Sequence, residues 1–115
     1  MLFRSSDVAG TAVVGPIGPK VATFSATPTF DCSLGDSFSI TVTGNVTSST
    51  LSNVTPGQRL TFWIKQSGGG FTFAWPSNVK GGGTISGTDG FISTQEFEVD
   101  LAGDARAVSA MQYTN

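Results

Sequence analysis

No histidine occurs among the 115 residues, and cysteine occurs once, as Cys32. Without histidine there is no Ser-His-Asp or Cys-His catalysis, no imidazole metal site and no proton shuttle near neutral pH. One thiol forms no intrachain disulfide and no thiolate zinc site. Charge is also scarce. Asp, Glu, Lys and Arg make up 12% of the chain, and the formal net charge is -2. The six basic residues, Arg4, Lys20, Arg59, Lys65, Lys80 and Arg106, are scattered. Nucleic acid is therefore not expected as a partner, because phosphate neutralisation needs clustered cations. No apolar run approaches the roughly 20 residues that span a bilayer, so no membrane partner is expected. The opening MLFRSSDVAGTAVVGPIGPK reads poorly as an export signal. Asp7 follows Arg4 closely, and Gly and Pro hem in the apolar Ala12-Val13-Val14. Synthesis in a cytoplasm without export by that route is the resulting expectation.

What the chain does have is alternation. Phe38, Ile40 and Val42 share one side of a run whose other side is Ser39, Thr41 and Thr43. Leu60/Phe62/Ile64, Phe71/Phe73/Trp75 and Phe97/Val99/Leu101 repeat the pattern. A period of two over β-branched and aromatic residues marks half-buried strands. Shorter runs at Val21–Ser25, Phe30–Leu34, Val46–Leu51 and Arg106–Tyr113 complete the set. Turn chemistry separates them: Gly35-Asp36, Gly44-Asn45, Pro56-Gly57, Gly68–Gly70, Gly81–Gly83 and Ala102-Gly103. Pro76 closes the Phe71 run, since proline donates nothing to a sheet ladder. With no helical periodicity, the expected fold is all-β, an antiparallel β-sandwich or jelly roll over residues 21–115. Gly68–Gly70 suggests a hairpin that places Phe62/Ile64 beside Phe71/Phe73. Residues 1–20 lack alternation and end in Gly15-Pro16-Ile17-Gly18-Pro19-Lys20, which reads as an extended N-terminal arm.

The candidates for chemistry are thin. Glu96, Glu98 and Asp100 lie on one strand side about 7 Å apart. Glycosidase acids face each other across a cleft, and calcium sites use loop carbonyls, so a solvated face is the simpler reading. Lys80-Gly81-Gly82-Gly83 lacks the spacing of a phosphate loop. The sequons Asn45-Val46-Thr47 and Asn53-Val54-Thr55 read as turn and strand chemistry. Cys32, at an inward strand position, reads as a buried structural thiol. No catalytic residue, metal ligand or cofactor motif emerges, and the chain reads as a non-enzyme. Trp63 and Lys65 point opposite to Phe62 and Ile64. An outward tryptophan on a lightly charged surface suggests either ordinary packing or a subunit interface.

Residues 43–86 carry Gly44-Asn45-Val46-Thr47, Leu51-Ser52-Asn53, Pro56-Gly57-Gln58 and Phe73-Ala74-Trp75-Pro76-Ser77-Asn78-Val79-Lys80-Gly81. This stretch resembles a module that recurs in bacteriophage virion proteins, including tail-fibre-like ones. The likeness extends from Val21 through Gln95-Glu96-Phe97. It implies a compact, often trimeric β domain in a virion. A short chain with an arm in front resembles a head decoration, or cement, protein. That implies a homotrimer holding the major capsid protein or other virion proteins. The arm would contribute Leu2, Phe3, Val13, Val14, Pro16 and Pro19, and Trp63 and Lys65 would lie between subunits. The alternative is a tail-fibre or receptor-binding adhesion module for glycans. Its ligand rim would combine Phe71, Trp75 and Asn78, with Trp63 and Gln66 as further candidates.

Overall fold

The computed structural model describes residues 19–115, and every structural statement below concerns these residues. Nine strands form: β1 (Lys20–Ala22), β2 (Thr29–Asp31), β3 (Ser37–Val42), β4 (Thr50–Ser52), β5 (Arg59–Gln66), β6 (Val79–Lys80), β7 (Ile92–Val99), β8 (Ala105–Ala107) and β9 (Gln112–Thr114). There is no helix among them, and the chain is all-β as its alternation requires. The main sheet runs β1-β3-β5-β7-β8-β6, with β9 also on β7, and β2 and β4 form a second, small sheet.

The pairing is mixed and not antiparallel throughout. β1 with β3, β3 with β5, β2 with β4 and β6 with β8 are parallel. Antiparallel pairs are confined to β7, which meets β5, β8 and β9. The physical reason is the path of the chain. From β1 it crosses to the small sheet as β2, returns as β3, crosses again as β4 and returns as β5. Strands that come back after such a crossover enter the sheet in the same direction. The result is a solenoid-like coil and not a set of hairpins. Paired positions step from Lys20–Phe38 to Thr29–Thr50, Ser37–Thr61 and Val46–Phe73. Each step is three residues longer than the one before, so the coil widens along the chain. β7 then runs back along β5 and closes its wide end.

The expected hairpin between the Leu60 and Phe71 runs does not form. Both edges of β5 are occupied, one by β3 and the other by β7. Gly68, Gly69 and Gly70 all have positive φ, at 116°, 89° and 79°. Three such residues in a row carry the chain out of the sheet instead of folding it back. The Phe71 run reaches a different neighbour, where Val46 donates to the Thr72 carbonyl at 2.9 Å and accepts from the Ala74 amide at 3.0 Å.

The core lies between the two sheets. Phe38, Ile40 and Val42 of β3, and Leu60, Phe62 and Ile64 of β5, are all buried, with Phe97 and Val99 of β7 alongside. Phe30 of β2 enters from the opposite layer, its ring edge-on to Phe38 at 5.5 Å and to Phe62 at 5.2 Å. Phe62 is central, with Trp75 at 5.3 Å and Phe97 at 5.8 Å. Edge-to-face pairs contribute about 0.5–1.5 kcal/mol each beyond their buried area. Cys32 is buried as expected, and burial, followed by the charges of Asp31 and Asp36, raises its thiol to about 11. It is a poor nucleophile there.

Candidate functional site

The outer face of the main sheet is set by the same alternation that builds the core. Pairing aligns Val21, Ser39, Trp63, Thr94 and Gln112 in one row across five strands. The next row is Thr41, Lys65, Ile92 and Thr114. Trp63 is therefore mid-sheet, on the longest and best-supported strands, and it is 39% exposed. Its indole Nε1 donates to Ser37 Oγ at 3.0 Å, which tilts the ring along β3 and holds it. Lys65 is exposed beside it. A groove of about 370 Å³ runs past the ring, lined by Pro19, Ser39, Thr41, Trp63, Lys65 and Ile92. That is near the lower bound of ligand-site volumes. Val21, at 83% exposed, continues the apolar surface toward the edge of the sheet.

A second cavity, of about 320 Å³, lies between the Phe71–Trp75 segment and Gly82–Ile85. Phe71 and Trp75 both line it, but neither is an open rim. Trp75 is half-buried, donates from Nε1 to the Gly83 carbonyl at 2.8 Å, and packs edge-on to Phe73 at 4.9 Å. Gly82 lies flat against the indole, where an added Cβ would meet the ring at 2.6 Å. The stacking surface expected of Trp75 is thus covered. Asn78 is not brought to this cavity; it is half-buried and donates to the Leu51 carbonyl at 3.3 Å. Gln66 is buried at 1% exposure, its Nε2 donating to the Phe71 carbonyl at 2.6 Å and its Oε1 accepting from the Phe71 amide at 3.3 Å. It holds a loop and is not at a surface rim.

No match to a known protein helps assign either cavity. Neither a protein-family model, nor a curated protein, nor a solved structure matches this chain. The candidate sites rest on geometry alone.

The acidic row divides among structural partners. Glu98 pairs with Arg59 at 3.3 Å across β5 and β7, both well exposed. Asp100 accepts from the Ala102 and Asp104 amides at 2.9 Å and pairs with Arg106 at 2.6 Å. The Asp104 amide first, and then Arg106, holds its carboxyl below the usual aspartate range. Asp31 is lowered likewise by Ser33 and Asn53, whose Oγ and Nδ2 donate at 2.7 and 2.9 Å. No group of acidic, histidine or cysteine side chains among the described residues is placed to hold a metal ion. Of the arm residues, Leu2, Phe3, Val13, Val14 and Pro16 lie outside the described residues. Pro19 is exposed and forms one wall of the Trp63 groove. That role for Pro19, and those of Val21 and Ile92, escaped the sequence reading. β7 begins at Ile92, well before the Phe97/Val99/Leu101 run that marks it in the sequence, and ends at Val99.

Proposed function

We propose that the chain is a non-enzymatic structural protein of a bacteriophage virion, of the head-decoration or cement kind. In this reading it assembles as a homotrimer on the capsid exterior and binds the major capsid protein. Residues 1–20 act as the capsid-binding arm through Leu2, Phe3, Val13, Val14, Pro16 and Pro19. Trp63 and Lys65 lie between subunits, and the protein is made in the host cytoplasm before joining the virion. The observation that supports this best is the outer face itself. It is a largely polar sheet surface with an exposed, pinned tryptophan at its centre, a residue type enriched in association surfaces. The sandwich assignment belongs to the same reading, with the main sheet and β2–β4 as its two facing layers. Capsid stabilisation would follow from many copies acting together.

Native mass of the purified protein, followed by binding to purified heads, tests the proposal. A trimer that saturates heads is the expected result. A chain beginning at Val21 that binds heads equally well would remove the arm from the reading. The alternative is a tail-fibre or glycan-binding adhesion module, favoured only by the cavity beside Phe71. It predicts glycan binding that Phe71→Ala abolishes, and a blank glycan array would end it.

A further inference from the structure

We infer that the cavity between Phe71–Trp75 and Gly82–Ile85 is a binding slot for a short extended peptide, held through its main-chain amides. The slot begins with an unfinished strand edge. Val46 donates to the Thr72 carbonyl and accepts from the Ala74 amide, so it occupies one edge of the Phe71–Trp75 segment. Backbone groups of successive strand residues alternate between edges, which turns the Phe73 N–H and C=O to the opposite side. The cavity of about 320 Å³ lies on that side, since Phe73 lines it and Val46 does not. Among the described residues nothing pairs with either Phe73 group. The facing wall has the same character. The Thr84 N–H and both backbone groups of Ile85 have no partner among the described residues, although Ile85 is only 7% exposed. Buried backbone groups are nearly always paired, with protein or with something bound to it.

The molecule itself shows what these edges accept. Two residues earlier on the Phe73 edge, the Gln66 amide donates to the Phe71 carbonyl at 2.6 Å and accepts from its N–H at 3.3 Å. On the facing wall the Gln95 amide accepts from the Gly83 N–H at 2.8 Å and donates to the Gly81 carbonyl at 3.1 Å. Each wall is thus capped by one side-chain amide, and the Phe73 pair is left for another. An incoming backbone supplies that amide in the same mode, which is strand addition. None of the eight lining residues is ionisable, so the slot suits an uncharged stretch. Its volume is near the lower bound of ligand sites and limits that stretch to a few residues. Two ties fix the walls on either side of Phe73 before a ligand arrives. One is the Gly70 amide on the Gly87 carbonyl, the other the Trp75 indole on the Gly83 carbonyl, each at 2.8 Å. Walls held in advance spare the ordering cost of binding. A sugar is served less well, because Gly82 covers the Trp75 face on which it would stack. The inference is independent of the virion reading and competes with the glycan alternative for one cavity.

The test follows the Phe73 amide of the full chain by nuclear magnetic resonance and hydrogen exchange. The Ala74 amide, bonded to Val46 with or without ligand, is the internal reference. The probe is acetyl-trialanine amide. Its controls are the same peptide with every backbone nitrogen methylated, which keeps the carbonyls and removes the donors, and maltotriose. The expected result is a shift of the Phe73 resonance with the probe alone. Exchange of that amide should slow about tenfold with the probe at about ten times its Kd. An unchanged Phe73 amide up to the solubility limit of the probe overturns the inference. Equal binding of the methylated peptide also overturns it, since the contact is then apolar and not strand addition. A response to maltotriose with none to the peptide overturns it as well, and hands the cavity to the glycan reading.

Discussion

At the scale of single residues, the most informative side chain is Gln66, because both ends of its amide replace a missing strand. It satisfies the Phe71 amide and carbonyl at the point where the chain leaves the sheet. Gln66→Leu keeps the volume and strands both groups, so a loss of about 1–3 kcal/mol is expected in urea unfolding. Gly82→Ala should cost a similar amount, about 1–3 kcal/mol by overpacking, because the new methyl would enter the Trp75 ring. That variant should also shift Trp75 emission, whereas Gln66→Leu should not. Acid sensitivity belongs at this scale too. Asp31 and Asp100 are lowered from an ordinary value of 3.8, so the stability they contribute is present above that value. It is lost as the pH falls below it through their folded values. Asp31→Asn and Asp100→Asn should each flatten the fall of melting temperature in that acid range.

At the scale of elements, the small sheet β2–β4 enters the core through Phe30 and Leu51, and Phe30 packs directly on Phe38 and Phe62 of the main sheet. Phe30→Ala should lower stability by about 3–5 kcal/mol, read as a shift in the denaturant midpoint. The alternation in the sequence correctly assigned the buried side of β3, β5 and β7, because a period of two puts alternate residues on one face. Phe38, Phe62 and Phe97 inward, with Trp63 and Lys65 outward, follow from that. The alternation overran the strand ends: Leu101 and Leu34, which continue the parity of Val99 and Cys32, are exposed. It could not assign partners. Parallel and antiparallel strands buried on one face carry the same period of two. β3 meets β5 in parallel because β4 intervenes in the small sheet, and nothing in Phe38–Val42 itself encodes that detour. The Gly68–Gly70 turn was legible as a reversal but not as an exit from the sheet. The candidate site was legible to the same degree. Trp63 stood out by its parity, while its groove depends on Pro19 and Ile92, which only the pairing of distant strands brings to it.

For the whole molecule, the make-up of the outer face makes one further expectation specific. Arg59, Lys65, Glu96 and Glu98 share that face with Trp63, so association through Trp63 should change with added salt. Trp63→Arg should abolish it, as seen by native mass. Sedimentation over a concentration series at two salt levels measures both effects.

The antiparallel closure by β7 also governs when the fold can exist at all. β5 lies unpaired along one edge until Ile92–Val99 arrives. Pairing between segments so distant in the chain is slow, typically milliseconds to seconds for β folds of high contact order. A nascent chain at the ribosome will therefore hold its coil open, with Phe62 still awaiting Phe97, until Ile92–Val99 has emerged. Crowding of nascent chains before that point is the stage at which the bare β5 edge is most exposed to mispairing.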